Sequence, residues 1–99
     1  IIQEAIDAAN AGSTVTVNAG TYTENITINK ALKLDGLSGS KLQAATGGNL
    51  VTVTAANVNI DPITFDGMGL ADFGINASGA DGLIVDGNTF QNFVLTNVN

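Results

Sequence analysis

No cysteine, histidine, arginine or tryptophan occurs among the 99 residues, and proline occurs once, at Pro62. Without cysteine there is no disulfide framework, no thiolate zinc site and no cysteine nucleophile. Lys30, Lys33 and Lys41 are the whole positive complement against nine acids, a net charge of −6. Nucleic acid and membrane surfaces are therefore not expected as partners, because affinity for phosphate rests on Lys and Arg. Acidity suits solubility and cations such as calcium. No apolar run approaches the roughly 20 residues that span a bilayer. The opening IIQEAIDAANAG lacks the basic start and long apolar stretch of a secretory signal, so export would depend on a signal outside these residues.

What is present is apolar residue at 44%, twelve glycines, and many Asn and Thr, a mixture that reads as short strands joined by tight turns. The length fits a single domain over residues 1–99. IIQEAIDAANAG has helical spacing: Ile2, Ile6 and Ala9 share a face, Gln3, Glu4, Asp7 and Asn10 lie opposite, and Gly12 stands where a C-cap glycine is expected. Residues 1–12 are thus read as a helix. From Thr14 the pattern has period two, pairing Val15 with Val17, Ile26 with Ile28, Leu32 with Leu34, Val51 with Val53, Val58 with Ile60, Ile63 with Phe65, Phe73 with Ile75 and Leu83 with Val85.

IDPITFDG at 60–67 returns as VDGNTFQN at 85–92, with Ile60, Asp61, Thr64 and Phe65 answered 25 residues later by Val85, Asp86, Thr89 and Phe90. Ile26 and Ile28 return as Val51 and Val53, which map in turn onto Phe73 and Ile75 at an offset of 22. A period in the twenties is a solenoid signature. Three short strands per period make one coil of a parallel β-helix, with coils about 4.8 Å apart and like side chains stacked on like. The fold expected is all-β, a right-handed parallel β-helix of about four short coils over residues 13–99, with an amphipathic capping helix covering the first strand edges.

With those motifs in place, the chain resembles the pectate-lyase-like, right-handed parallel β-helix superfamily over nearly all of residues 1–98. The stretch from Ile2 to Gly36 is similar to that superfamily's amino-terminal cap and first coils. Gly20-Thr21-Tyr22 fits its Gly-x-Tyr turn, although Ala19 stands where proline is frequent. VNIDPITFDG and LIVDGNTFQN resemble its coil pattern. The superfamily holds lyases, hydrolases, adhesins and accessory proteins, so the resemblance implies the fold and leaves activity to the site.

The lyases of that superfamily use an arginine base with calcium held by acids, and this chain has no arginine. Hydrolysis would need clustered aspartates with one protonated as general acid. Asp61 and Asp86 are the pair that the repeat sets side by side, with Asp35 one coil earlier. Asp35, Asp61 and Asp86 form an acidic ridge that is the calcium candidate, with Asp66, Asp72 and Asp81 near turns; no DxDxDG run accompanies them. Aspartate at turns ordinarily caps local backbone and points into water, which is the expected role here, with no catalytic residue and no resident cofactor assigned. Thr27 stacks on Thr52, but Gly74 and Asn76 follow, so a threonine ladder ends after two rungs. Asn25-Ile26-Thr27 and Asn76-Ala77-Ser78 match the glycosylation triplet, as chance allows in an Asn- and Thr-rich chain.

FVLTNVN at 93–99 begins another strand with no helix, proline or charge to close the solenoid. The coil end is expected to be uncapped, with Phe90, Phe93, Val94, Leu95 and Val98 as its interface residues. These readings converge on a non-enzymatic structural or adhesive module, extracellular or on a cell surface, that self-associates through its open terminal coil and for which polysaccharide is a further possible partner. The alternatives are an amino-terminal fragment of a carbohydrate-active β-helix enzyme with its catalytic coils elsewhere, and an engineered or minimal β-solenoid.

Overall fold

A computed structural model describes residues 1–98 as a parallel β-solenoid of four coils preceded by one short helix, α1 (Ile2–Ala8). Coil 1 holds β1 (Thr14–Val17), β2 (Gly20–Thr23) and β3 (Ile26–Ile28), and coil 2 holds β4 (Lys33–Gly36), β5 (Ser40–Gln43) and β6 (Gly48–Val53). Coil 3 holds β7 (Asn59–Ile60), β8 (Thr64–Asp66) and β9 (Ala71–Asn76), and coil 4 holds β10 (Ile84–Val85), β11 (Thr89–Gln91) and β12 (Thr96–Val98). Each strand pairs in parallel with its counterpart one coil on, giving three four-stranded sheets: β1-β4-β7-β10, β2-β5-β8-β11 and β3-β6-β9-β12.

The sequence repeat is this register. Ile60 lies opposite Val85, Thr64 opposite Thr89 and Phe65 opposite Phe90, all at 25 residues. The first coil is shorter, with Thr14 opposite Lys33 and Gly20 opposite Ser40, offsets of 19 and 20. Inward residues stack into one core in which Ile6, Ile28, Leu34, Leu42, Val51, Ile60, Phe65 and Ile75 are fully buried. Phe65 fills the middle of coil 3 and stacks on Phe90 with centroids 5.2 Å apart and planes 19° from parallel. Removing a ring at that depth costs about 3–5 kcal/mol.

The structure corrects the expected ladder in the third sheet. Val51 lies opposite Ile75, an offset of 24, and Asn49, not Val51, lies opposite Phe73. A register shift at Gly48/Asn49 absorbs the difference, and a bulge of this kind re-aims the side chains beyond it. Phe73 is therefore half-buried and outside the core, between Asn49 and Thr96. The inward place beside Ile75 goes to Gly74, where a Cβ would come within 2.3 Å of the Asn97 carbonyl oxygen and 2.9 Å of the Phe90 ring. Glycine there is what lets Phe90 enter the stack.

Two local expectations also change. Gly20–Thr23 is strand β2, not a turn. The helix stops at Ala8, where Ala9 is already extended (φ −74°, ψ 148°), so Gly12 is not its C-cap. Gly12 (φ +86°) instead turns the chain into β1, its N–H donating to the Ala31 carbonyl at 2.7 Å. The helix can end early because Lys30 Nζ donates to the carbonyls of Asp7 and Ala9 at 3.0 and 2.9 Å. At the other end Glu24 accepts from the backbone N–H groups of Ile2 and Gln3, each at 3.0 Å, and from the Ile1 amine at 2.9 Å. Burial opposes the charge on Glu24, but the Gln3 and Ile2 amides and the amine outweigh it and hold the carboxyl below its ordinary value. Gln3 completes the cap: its Oε1 accepts from Thr27 N–H at 2.7 Å and its Nε2 donates to Thr27 C=O at 3.0 Å. One side-chain amide thereby stands in for the missing neighbouring strand of β3.

Glu24→Gln is expected to lower stability near pH 7 by about 1 kcal/mol, as loss of a helix cap does. Because the folded pKa of Glu24 is depressed, its contribution is present above the unfolded value of about 4.5 and lost as pH falls through the folded one. Urea melts from pH 7 to 3 should show wild type and variant converging in acid. Gly74→Ala should cost about 2 kcal/mol by overpacking against Phe90, measured by the same melts.

Candidate functional site

Coil 4 differs from the coils beneath it. No side chain from Asp81 to Val98 is buried, whereas coils 2 and 3 each supply several fully buried ones. Leu83, Val85, Phe90 and Phe93 turn toward the core yet stay half-buried, because among the described residues nothing lies over them. Phe93 meets Phe90 at 6.3 Å in a tilted arrangement. Val94, Leu95 and Val98 are exposed at 55%, 67% and 45%. The structure thus gathers all five residues expected at the terminal interface into one coil. It adds Ile84, exposed at 55%, which sequence reasoning passed over. Its signal was present: alternation sends Leu83 and Val85 inward and leaves Ile84 facing out.

Among the described residues this edge also carries unpaired backbone. Ile84 and Asp86 donate N–H back to the carbonyls of Val58 and Ile60, at 2.9 and 3.0 Å. Thr89 donates to Ile63 at 3.1 Å, and the Gln91 carbonyl accepts from Gly67 at 2.9 Å. In a parallel ladder the residue between two such positions points its N–H and C=O to the other side. Val85 and Phe90 therefore present their peptide groups away from coil 3. They occupy the position that Thr27 holds at the opposite end, where Gln3 answers it. The β10, β11 and β12 strands contain no charged side chain.

A buried carboxylate fastens this coil down. Asp66, 4% exposed, accepts at Oδ1 from the Met68 N–H (2.8 Å) and Asn92 Nδ2 (3.0 Å). At Oδ2 it accepts from Gln91 Nε2 (3.1 Å) and faces Lys41 Nζ (3.2 Å). Burial penalises the charge, but the Asn92, Met68, Gln91 and Lys41 donors together hold the carboxyl well below the usual carboxylate range. Lys41 belongs to coil 2, Asp66 to coil 3, and Gln91 and Asn92 to coil 4, so one carboxylate ties three coils. With four donors on two oxygens, Asp66 has no lone pair left for a substrate proton. Asn88 adds a second tie, accepting from the Ile63 N–H at 2.9 Å and donating to the Ile60 carbonyl at 2.9 Å.

The acidic ridge lies on the outer face of the first sheet, and Lys33 Nζ sits 3.0 Å from Asp61 Oδ2. The hydrogen bond to Asp61, then the charges of Asp61 and Asp35, raise the Lys33 pKa, the direction opposite to what a lysine base requires. Asp35 is half-buried and Asp86 exposed. Among the described residues no three acidic, His or Cys side chains come together in a way that could hold a metal ion. The Asn25 amide of the first glycosylation triplet is fully engaged, with Nδ2 donating to Asn49 and Thr46 and Oδ1 accepting from Ala45 and Thr46. A cleft of about 180 Å³ at the corner between the first and second sheets is lined by Ser40, Pro62 and Gly87. The buried Ser40 hydroxyl has no hydrogen-bond partner, but it faces Gly36, where a Cβ would come within 2.6 Å of it. It reads as a small residue chosen for packing.

Comparison with protein-family models, with curated proteins and with solved structures finds no match.

Asp66→Ala should cost about 2–3 kcal/mol, the range for losing hydrogen bonds to a buried charge. Hydrogen exchange should localise the loss, with protection falling in residues 84–98 and unchanged in α1 and coil 1. Met68 holds φ +56°, a conformation that costs a non-glycine residue about 1 kcal/mol, so Met68→Gly should raise the melting temperature of the otherwise wild-type chain.

Proposed function

We propose that this chain is a non-enzymatic structural or adhesive module of the pectate-lyase-like type, belonging to an exported or surface-attached protein and self-associating through coil 4. The observation that carries the reading is the open terminal coil. It combines peptide groups at Val85 and Phe90 that are unpaired among the described residues, four exposed apolar side chains (Ile84, Val94, Leu95, Val98) and three strands without charge. Uncovered strand edges of this kind pair with other chains unless charge, proline or a cap prevents it. The non-enzymatic part is supported by the lysines. Lys30 is spent on the carbonyls of α1, Lys33 on Asp61 and Lys41 on Asp66.

Covering four half-exposed aliphatic side chains contributes about 1 kcal/mol each, or about 8 for both members of a pair, against an association cost of at least about 4. New backbone hydrogen bonds add about 1 kcal/mol each. The balance corresponds to dissociation constants from about 1 µM to about 1 mM. Light scattering after size exclusion, across a hundredfold range of concentration, should show mass rising with concentration. Val94→Lys and Leu95→Lys should hold the chain at monomer mass. An associated species that both substitutions leave unchanged would remove coil 4 from the interface.

A further inference from the structure

We infer that Asn76 is a glycan acceptor, whose side-chain amide nitrogen takes a sugar from a nucleoside diphosphate sugar, and that the fold withholds the other Asn-x-Ser/Thr triplet, at Asn25. The inference is independent of the self-association reading and holds whether or not coil 4 is an interface.

Asn25-Ile26-Thr27 and Asn76-Ala77-Ser78 both carry the acceptor pattern, and sequence alone does not separate them. The fold does. Asn25 Nδ2 donates to the carbonyls of Asn49 (2.8 Å) and Thr46 (3.3 Å), and its Oδ1 accepts from the N–H groups of Ala45 (2.9 Å) and Thr46 (3.1 Å). Ile26 is buried in the core, and the Thr27 peptide is held by Gln3. A transferase could reach this triplet only by pulling β3 out of its sheet. Asn76 differs at each point. It is the last residue of β9 and lies opposite Thr52, while Ile75 before it is fully buried, so Asn76 faces outward from the third sheet. Among the described residues its Nδ2 has no hydrogen-bond partner, and its Oδ1 accepts from the Ser78 N–H at 3.2 Å, an Asx turn within the triplet. The chain then turns tightly, with Ala80 N–H donating to the Ala77 carbonyl at 2.9 Å and Gly79 at φ +80°. Ser78 and Gly79 are exposed. This corner is exposed in the lower coils as well: Asn29 after β3, and Ala56 and Asn57 after β6, have a coil stacked above them and stay exposed.

The local geometry also suits the chemistry. An amide nitrogen is a poor nucleophile because its lone pair is shared with the carbonyl. The hydrogen bond from Ser78 N–H draws charge onto Oδ1 and makes Nδ2–H more acidic, the change that the transfer needs. Nδ2 attacks the anomeric carbon of the sugar, and the new N–C bond forms as the bond from that carbon to the diphosphate oxygen breaks. The nucleoside diphosphate leaves with the electron pair, and the Nδ2 proton passes to a base of the transferase. This chain supplies the nitrogen, the Ser78 hydroxyl by which the triplet is read, and an outward turn that can enter a cleft. A sugar on Asn76 leaves the Oδ1 bond to Ser78 in place. On Asn25 it would occupy the space of the Asn49 and Thr46 carbonyls.

The test treats the folded chain with UDP-glucose and a soluble asparagine glucosyltransferase that reads Asn-x-Ser/Thr. Peptides covering residues 20–31 and 71–82 are treated alongside, and they report the preference of sequence alone. Freeing the Asn25 amide from four hydrogen bonds lowers its availability at least about tenfold. The ratio of sugar on Asn76 to sugar on Asn25 should therefore be at least about tenfold higher in the folded chain than between the peptides. Intact mass should show one hexose added, and peptide mapping should place it on Asn76. Asn76→Gln and Ser78→Ala should each abolish that addition, with urea melts matching wild type to show that both variants fold. A ratio in the chain no higher than the peptides give would overturn the selection by the fold. No sugar on Asn76, in chain or peptide, would overturn the site itself, and so would undiminished transfer to both variants.

Discussion

In-register stacking of one coil on the next is the constraint on which the whole molecule depends. Every strand between the ends has its inward side chains, its backbone donors and its backbone acceptors satisfied by the coils above and below, and by little else. Val51 is buried because Ile26 precedes it and Ile75 follows it, and Phe65 because Leu42 and Phe90 do the same. Such an arrangement is stable in the middle and unsatisfied at both ends. Each end needs something to replace a missing coil, in apolar cover and in hydrogen bonds alike.

The two ends meet that need unequally. At coil 1 a seven-residue helix brings Ile2 and Ile6 as cover, and a glutamine amide imitates a neighbouring peptide group. An isolated helix of that length would not hold together in water. It persists here because Glu24 and Lys30 of coil 1 satisfy its two ends. Cap and coil therefore depend on each other. At coil 4 the polar ties run downward only: Asp66 and Asn88 bind the coil to the one beneath and do nothing for its outer edge.

The parts of this architecture legible in the sequence are those that repeat. Ile60 with Val85 and Phe65 with Phe90 could be paired by eye because ladders place like on like at a constant offset. The third sheet resisted because a register shift at Gly48/Asn49 changes the spacing, and because Gly74 occupies an inward place that a hydrophobic pattern does not mark. The polar ties were harder still. Glu24, Gln3, Lys41 and Asp66 act across coils through single side chains, and a residue that reaches another coil leaves no periodic trace. Asp66 looked like one more turn aspartate, and its burial emerges only when Lys41, Gln91 and Asn92 are brought around it. The terminal coil was readable as apolar, but Ile84 required the strand phase to be known.

Rigidity decides whether an open edge can recognise anything. A frayed coil with the same composition would first have to be ordered, at about 1–2 kcal/mol of backbone entropy per residue, and would consume the modest gain available from its exposed side chains. The Asp66 cluster removes that cost in advance. It uses a buried charge to hold Gln91, the last residue of β11, and Asn92, the first after it, next to the Phe90 peptide that faces outward. The charge cannot itself be the recognition element, since all its acceptors are used. Its effect is to present a neutral, apolar strand in fixed geometry on a molecule that is otherwise strongly acidic. Salt largely screens the net charge beyond roughly 10 Å, and the final contact is governed by what lies within the first few ångströms. Within that range β10, β11 and β12 offer backbone and aromatic surface and carry no charged side chain.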